Sequence, residues 1–225
     1  MTATAILPLP ASLAERPEAM LTPVAGTSPL IRVVSALSDV ASVVVAAAAA
    51  LAVPVRELLA AEGFSDVPTL TAETPGGRAQ CVTAALAAIR PGTPILVHDI
   101  GWPLVDAATA RRVLAALRGG AAVVAPSRPV TDSIKTVDQD SVVTATLDRA
   151  ELQVLQYPRG FQAEVLTRAV AAAQNGRADE LDAALRTGAR IALVDGDAGA
   201  LGVELPRDTD FLTAVIEDRR DDSSR

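Results

Sequence analysis

Along the chain, short β-branched apolar runs alternate with longer alanine-rich stretches whose apolar residues recur at helical spacing. That alternation is the pattern of an α/β protein with a mostly parallel sheet flanked by helices. Residues 5–9, 42–46, 95–98, 121–125 and 191–194 read as strands, and residues 29–37, 55–62, 77–89, 107–117, 163–174, 180–185 and 209–217 as helices. Asp106 is placed to cap one helix, which Gly119 and Gly120 end. Between Pro129 and Tyr157 the period changes to two. Residues 130–137 and 141–147 read as strands joined by a turn at Asp138, Gln139 and Asp140, an inserted β-hairpin arm spanning about 129–157. We expect a single domain over 1–217, with 218–225 a disordered, charged tail.

Composition narrows the chemistry. Half of the 225 residues are apolar but only five are aromatic, so the core must be built from Ala, Val and Leu. So few rings exclude stacking platforms for single-stranded nucleic acid. A net charge of −7 leaves no basic stripe for a nucleic-acid partner. Of 20 basic residues one is a lysine, Lys135, so a mechanism that needs two lysines is closed. The single Cys81 excludes an internal disulfide, and with the single His98 it excludes the usual zinc ligand set. The first ten residues lack a basic leader region. The longest charge-free apolar run, between Asp39 and Arg56, carries Pro54 and is shorter than a membrane span. A cytoplasmic protein with no membrane contact is expected.

Four motifs follow one another in order: Ile95-Leu96-Val97-His98-Asp99 with Pro103-Leu104-Val105; Pro129-Val130-Thr131-Asp132-Ser133-Ile134-Lys135; Thr146-Leu147-Asp148-Arg149; and Gln156, Pro158, Gly160 and Phe161. Together they resemble the 2-C-methyl-D-erythritol 4-phosphate cytidylyltransferase family, from about Ala5 to about Val215. The resemblance implies a Rossmann-like nucleotidyltransferase fold and transfer of CMP from CTP to a phosphorylated polyol, with Mg²⁺ and release of pyrophosphate. It also implies a homodimer whose arm completes the neighbour's substrate site. Asp99, at the carboxyl end of a strand, falls where the family holds substrate or Mg²⁺. Ser133 and Arg149 fall on the arm positions that hold the substrate phosphate, which a hydroxyl and an arginine fork suit. Arg78 and Cys81 lie in the base-binding segment that begins Gly76-Gly77, Cys81 standing where the family has serine. A catalytic Cys81 thiolate is the less favoured reading, since nothing local pairs it with His98.

The departures bear on activity. The family's first loop, of the type AAGxGxRxxxxxPK, wraps a triphosphate with glycine amides and neutralises it with Arg and Lys. Here no glycine precedes Gly26, Pro8 and Pro10 offer no N–H, and Glu18 stands at the lysine position. Arg16 lies nearby at a different spacing. The second family lysine falls on Gly202, the arginine after the aspartate becomes Trp102, and a later threonine becomes Ala178. Lys replaced by Glu beside a phosphate turns an attraction of about 4 kcal/mol at 4 Å and effective dielectric 20 into repulsion. The expected reading is a degenerate relative with weak or no catalysis. The alternatives are an active enzyme using Arg16 and Arg78 on the phosphates with Asp99 on Mg²⁺, a non-catalytic dimeric binding or scaffold protein, and a transferase of another nucleotide.

Overall fold

The computed structural model describes residues 2–173 and 179–223. The strand β1 (Thr4–Leu9) leads through a 3₁₀ turn (Ala11–Glu15) to α1 (Glu18–Leu21) and α2 (Pro29–Ser38). Next come β2 (Ser42–Ala47), α3 (Ala49–Ala61), β3 (Thr69–Thr71), α4 (Arg78–Leu86), β4 (Pro94–Val97), α5 (Ala107–Arg118) and β5 (Val123–Pro129). The arm holds β6 (Lys135–Val137) and β7 (Val143–Thr146), after which β8 (Gln153–Leu155) and β9 (Arg159–Gln162) rejoin the sheet. The chain finishes with α6 (Ala163–Ala172), α7 (Glu180–Arg186), β10 (Ile191–Asp195) and α8 (Thr209–Ser223).

The main sheet runs β10-β5-β9-β4-β1-β2-β3, with β8 added against β5, while β6 and β7 form a separate ribbon. Neighbours pair in parallel except β9, antiparallel to both β4 and β5, and β8, antiparallel to β5. This is the mixed, mostly parallel sheet flanked by helices that the pattern predicts. One apolar cluster fills the face under α2, α3 and α5, and a second fills the face under α4, α6 and α7. Both are built almost wholly from Ala, Val, Leu and Ile, with Phe161 the one buried phenylalanine.

The structure departs from the sequence reading at several places. The helix expected from residue 55 begins at Ala49, because the alanines before Pro54 carry the helical propensity and the proline is absorbed early in it. β9 is not recognised from its sequence, Arg-Gly-Phe-Gln, which offers one large apolar side chain. Its Gly160 is dictated by space: a Cβ there would lie 2.5 Å from Val113 of α5. The arm strands are shorter than expected and carry a bulge at Thr136 and Val137. α8 runs to Ser223, so residues 218–223 are helical where a frayed tail was expected. The expected helix end at Gln174 lies outside the described residues.

Candidate functional site

β4 delivers His98 and Asp99 to the carboxyl edge of the sheet. His98 is fully buried, and its Nε2 donates to the Trp102 carbonyl at 2.9 Å. Burial pushes its pKa down to about 4, so the ring is neutral near pH 7. Asp99 has both oxygens engaged. Oδ1 accepts the Gly101 N–H at 2.8 Å, and Oδ2 meets Nη1 of Arg78 at 2.6 Å.

Arg78 opens α4 directly after the Gly77 cap. Its Nε and Nη2 reach Oε2 and Oε1 of Glu180, each at 2.9 Å, a bidentate fork on a carboxylate only 3% exposed. Burial opposes the charge on Arg78, but Glu180, Tyr157 and Asp99 outweigh it and hold the guanidinium firmly protonated. Glu180 in turn opens α7, whose cap Asp179 accepts the Leu181 and Asp182 amides and pairs with Arg159. The Arg159 guanidinium stacks 4.3 Å above the Tyr157 ring, which Arg78, His98 and Trp102 also flank. The result is a partly buried ion cluster of two guanidiniums and three carboxylates around one phenol.

Sequence reasoning singled out Arg78 and Asp99, which the fold does bring together. It missed Glu180, Tyr157 and Arg159. The usable signal was the arginine itself, since a guanidinium carried inward on a helix start requires carboxylate partners.

The segment after β1 turns tightly. The Ala11 N–H bonds the Gly76 carbonyl at 2.8 Å, Leu13 donates to Pro10 and Arg16 to Leu13. Leu13 and Ala14 pack on the core. Several of the turn's amides are thereby used within the protein. Gly76 is required there: its φ is +74° and a Cβ would stand 2.9 Å from that of Ala48. Arg16 is exposed and 3.9 Å from Glu204, and Glu18 begins α1 facing solvent.

Cys81 does not face an open cleft. It is fully buried, with Sγ directed at the Leu9 and Gly76 carbonyls, 3.6 and 3.9 Å away. Side chains one turn into a helix lean back toward its start, which here is the Gly76 turn. Burial raises the thiol to about 11, which removes it as a nucleophile. Gly202 lies beneath Trp102, where a Cβ would be 3.2 Å from the indole, while Val203 donates to Gly101 at 2.8 Å. Ala178 lies outside the described residues.

On the arm, Ser133 and Arg149 line one open cavity of about 330 Å³ with Thr146, Leu147 and Asp148. Arg149 donates to the Thr131 carbonyl at 2.6 Å, and neither Asp148 nor Asp132 pairs with it. Lys135 donates to Thr146 at 2.7 Å. A larger cavity of about 640 Å³ beside β3 and α4 is lined mostly by Ala and Thr, with Glu73 its one charged residue. Among the described residues no three His, Cys, Asp or Glu side chains are grouped to hold a metal. Asp99 supplies one carboxylate at most, which fits Mg²⁺ carried chiefly by substrate phosphates rather than a protein cage. No helix of the described residues is long and apolar enough to cross a membrane.

Residues 13–218 match the family model for 2-C-methyl-D-erythritol 4-phosphate cytidylyltransferase, IspD. The Rhodococcus jostii protein of that name is 38% identical over 141 residues, 63% of this chain and 62% of that one. The match to the Saccharopolyspora erythraea protein is 36% over 206 residues, covering 87% and 89% of the two chains. A crystal structure of 4-diphosphocytidyl-2C-methyl-D-erythritol synthase shares the fold at a TM-score of 0.77 and 23% identity, covering 96% of this chain and all of that one. The Thermus thermophilus cytidylyltransferase gives 0.73 at the same identity and over the same 96% of this chain.

Proposed function

The chain belongs to the 2-C-methyl-D-erythritol 4-phosphate cytidylyltransferase family, and on that premise we propose that it keeps the family's phosphorylated-substrate end while CMP transfer from CTP is lost or slowed by orders of magnitude. The observation that carries this is the ion cluster. Arg78 is matched by Asp99 and Glu180 and Arg159 by Asp179, so two guanidiniums face three carboxylates. Such a cluster has no spare positive charge for a triphosphate. Glu18 adds another negative charge near the first loop, and Trp102 covers Gly202, where the family has a lysine. Losing charge-stabilising groups in phosphoryl transfer costs roughly 10³–10⁵ in rate.

In this reading Ser133 and Arg149 hold a substrate phosphate, and any Mg²⁺ arrives on the nucleotide, with Asp99 as its single protein ligand. Mg²⁺ would neutralise developing phosphate charge. The arm exposes Val137, Val142, Val143 and Leu147, an apolar strip suited to a second copy of the chain. The location we infer is the cytoplasm, where nucleotide and polyol phosphate occur. Calorimetric titration with CTP and excess Mg²⁺ tests the reading. We expect no heat at millimolar CTP and no pyrophosphate on adding 2-C-methyl-D-erythritol 4-phosphate. Micromolar CTP binding with turnover overturns it.

One observation favours an active site with rearranged phosphate contacts. Arg16 is 59% exposed and only 3.9 Å-paired to Glu204, so it has freedom to swing toward a nucleotide. In that case Arg16→Ala abolishes whatever turnover is measured.

A further inference from the structure

Residues of α2, of α8 and of the segment after Trp102 line an open cavity of about 500 Å³. Arg32, Arg219 and Arg220 line it, against a wall of Pro103, Leu104, Val105 and Ile216. The gathering of three arginines runs against the chain's net charge of −7. Each guanidinium is oriented by a backbone carbonyl: Arg32 by Val24 at 3.0 Å, Arg220 by Ala25 at 3.0 Å, and Arg219 by Gly199. Arg32 pairs with no carboxylate among the described residues, and its buried Nε has no hydrogen-bond partner. Burial, and then the charge of Arg220, hold its pKa below the usual arginine range. Asp218 and Asp221 on α8 are solvent-exposed.

A half-buried cation beside a like charge, with an unmet N–H donor, is an arrangement that an anion completes. We propose that this cavity binds a small phosphorylated molecule, its phosphate on Arg32, Arg219 and Arg220 and its apolar body against Leu104, Val105 and Ile216. Guanidinium forks suit phosphate oxygens, and the volume suits a small ligand. The apolar wall separates this from a general anion trap, because it rewards a ligand with a hydrophobic part. The site shares no lining residue with the arm cavity, and it does not depend on whether CTP is bound.

The fold provides a reporter. Trp102 is the only tryptophan and directly precedes Pro103 in the cavity wall. The test is titration of the full chain with phenyl phosphate and with inorganic phosphate, at constant ionic strength, following Trp102 emission and melting temperature. Saturable change is expected, tighter for phenyl phosphate. Arg32→Gln and the solvent-side Arg220→Gln should each weaken it about tenfold or more. Arg56→Gln, exposed on α3 and lining neither cavity, should leave it unchanged. Equal affinity of the two ligands shows an adventitious ion only and overturns the proposal. So does wild-type affinity in both glutamine variants, or the absence of saturation at millimolar ligand.

Discussion

The two ends of the proposed substrate path treat charge in opposite ways. At the sheet edge, Arg78 and Arg159 are drawn inward and matched by Asp99, Glu180 and Asp179, with Tyr157 packed between them. On the arm, Arg149 is exposed and touches only a carbonyl, beside the Ser133 hydroxyl in an open cavity. The same residue type is structural in one place and available in the other, and what differs is the number of carboxylates within reach. A guanidinium held by a bidentate carboxylate gains little from exchanging it for a phosphate. One that meets only a carbonyl has most of its donors to offer. Retention of an arginine within a family motif therefore does not by itself report retained phosphate binding.

The sharpest way to break this contrast is to remove the buried carboxylate. Glu180→Gln leaves Arg78 short of a charge partner and should cost about 3 kcal/mol or more in denaturant unfolding. A loss under about 1 kcal/mol would mean that Arg78 is as loosely held as Arg149.

Next in size is the acid response of the sheet edge. His98 titrates at about 4 in the folded chain against 6.5 unfolded, so the unfolded state takes up the proton first. Stability should therefore be complete above about pH 6.5 and fall by up to about 3 kcal/mol as the pH drops to about 4. His98→Gln should flatten that part of the curve in chemical denaturation. A slope the same in both proteins would put the acid sensitivity elsewhere.

Gly202→Lys comes third. It forces Trp102 off the backbone and should cost about 1–3 kcal/mol by overpacking, with no gain in CTP affinity. Combined with Trp102→Ala, the loss should be smaller than the sum of the two single changes by about 1 kcal/mol in a double-mutant cycle. Simple additivity would show that the indole does not guard that position.

The smallest effect on stability falls on the arm. Arg149→Ala and Ser133→Ala should leave the melting temperature unchanged while weakening 2-C-methyl-D-erythritol 4-phosphate binding about tenfold in calorimetry. Unaltered binding would remove the arm from the substrate site.

How much of this was legible beforehand depended on how local the signal is. β1, β2, β4 and β10 are runs of apolar residues bounded by turn signals, and the arm is a clear change of period. Those emerge from sequence alone. β9 has no such signature. Its place is fixed by α5 pressing on Gly160 and by two antiparallel neighbours, both determined by tertiary packing. In the candidate site, Arg78 and Asp99 stood out as residue types at strand and helix ends. Glu180 lies 102 positions from Arg78, and nothing near it announces the pairing. Cys81 misled because position within a motif does not specify which way a side chain points. Leu212 and Ile216, with Val24 and Leu104, give α8 an apolar seat that charge counting overlooks.

The antiparallel β9 has a consequence for synthesis. It lies between β4 and β5, which reach each other in the sheet only through it. On the ribosome, β1 to β4 can assemble once β4 itself has emerged, since β3, β2, β1 and β4 are neighbours in the finished sheet. β5 then has no place to dock until the whole arm and residues 159–162 have been made. During that interval β4 presents an open, apolar edge, and the nascent chain is exposed to mispairing. The arm therefore sets a delay in folding as well as a surface in the finished protein, and a longer arm would lengthen it.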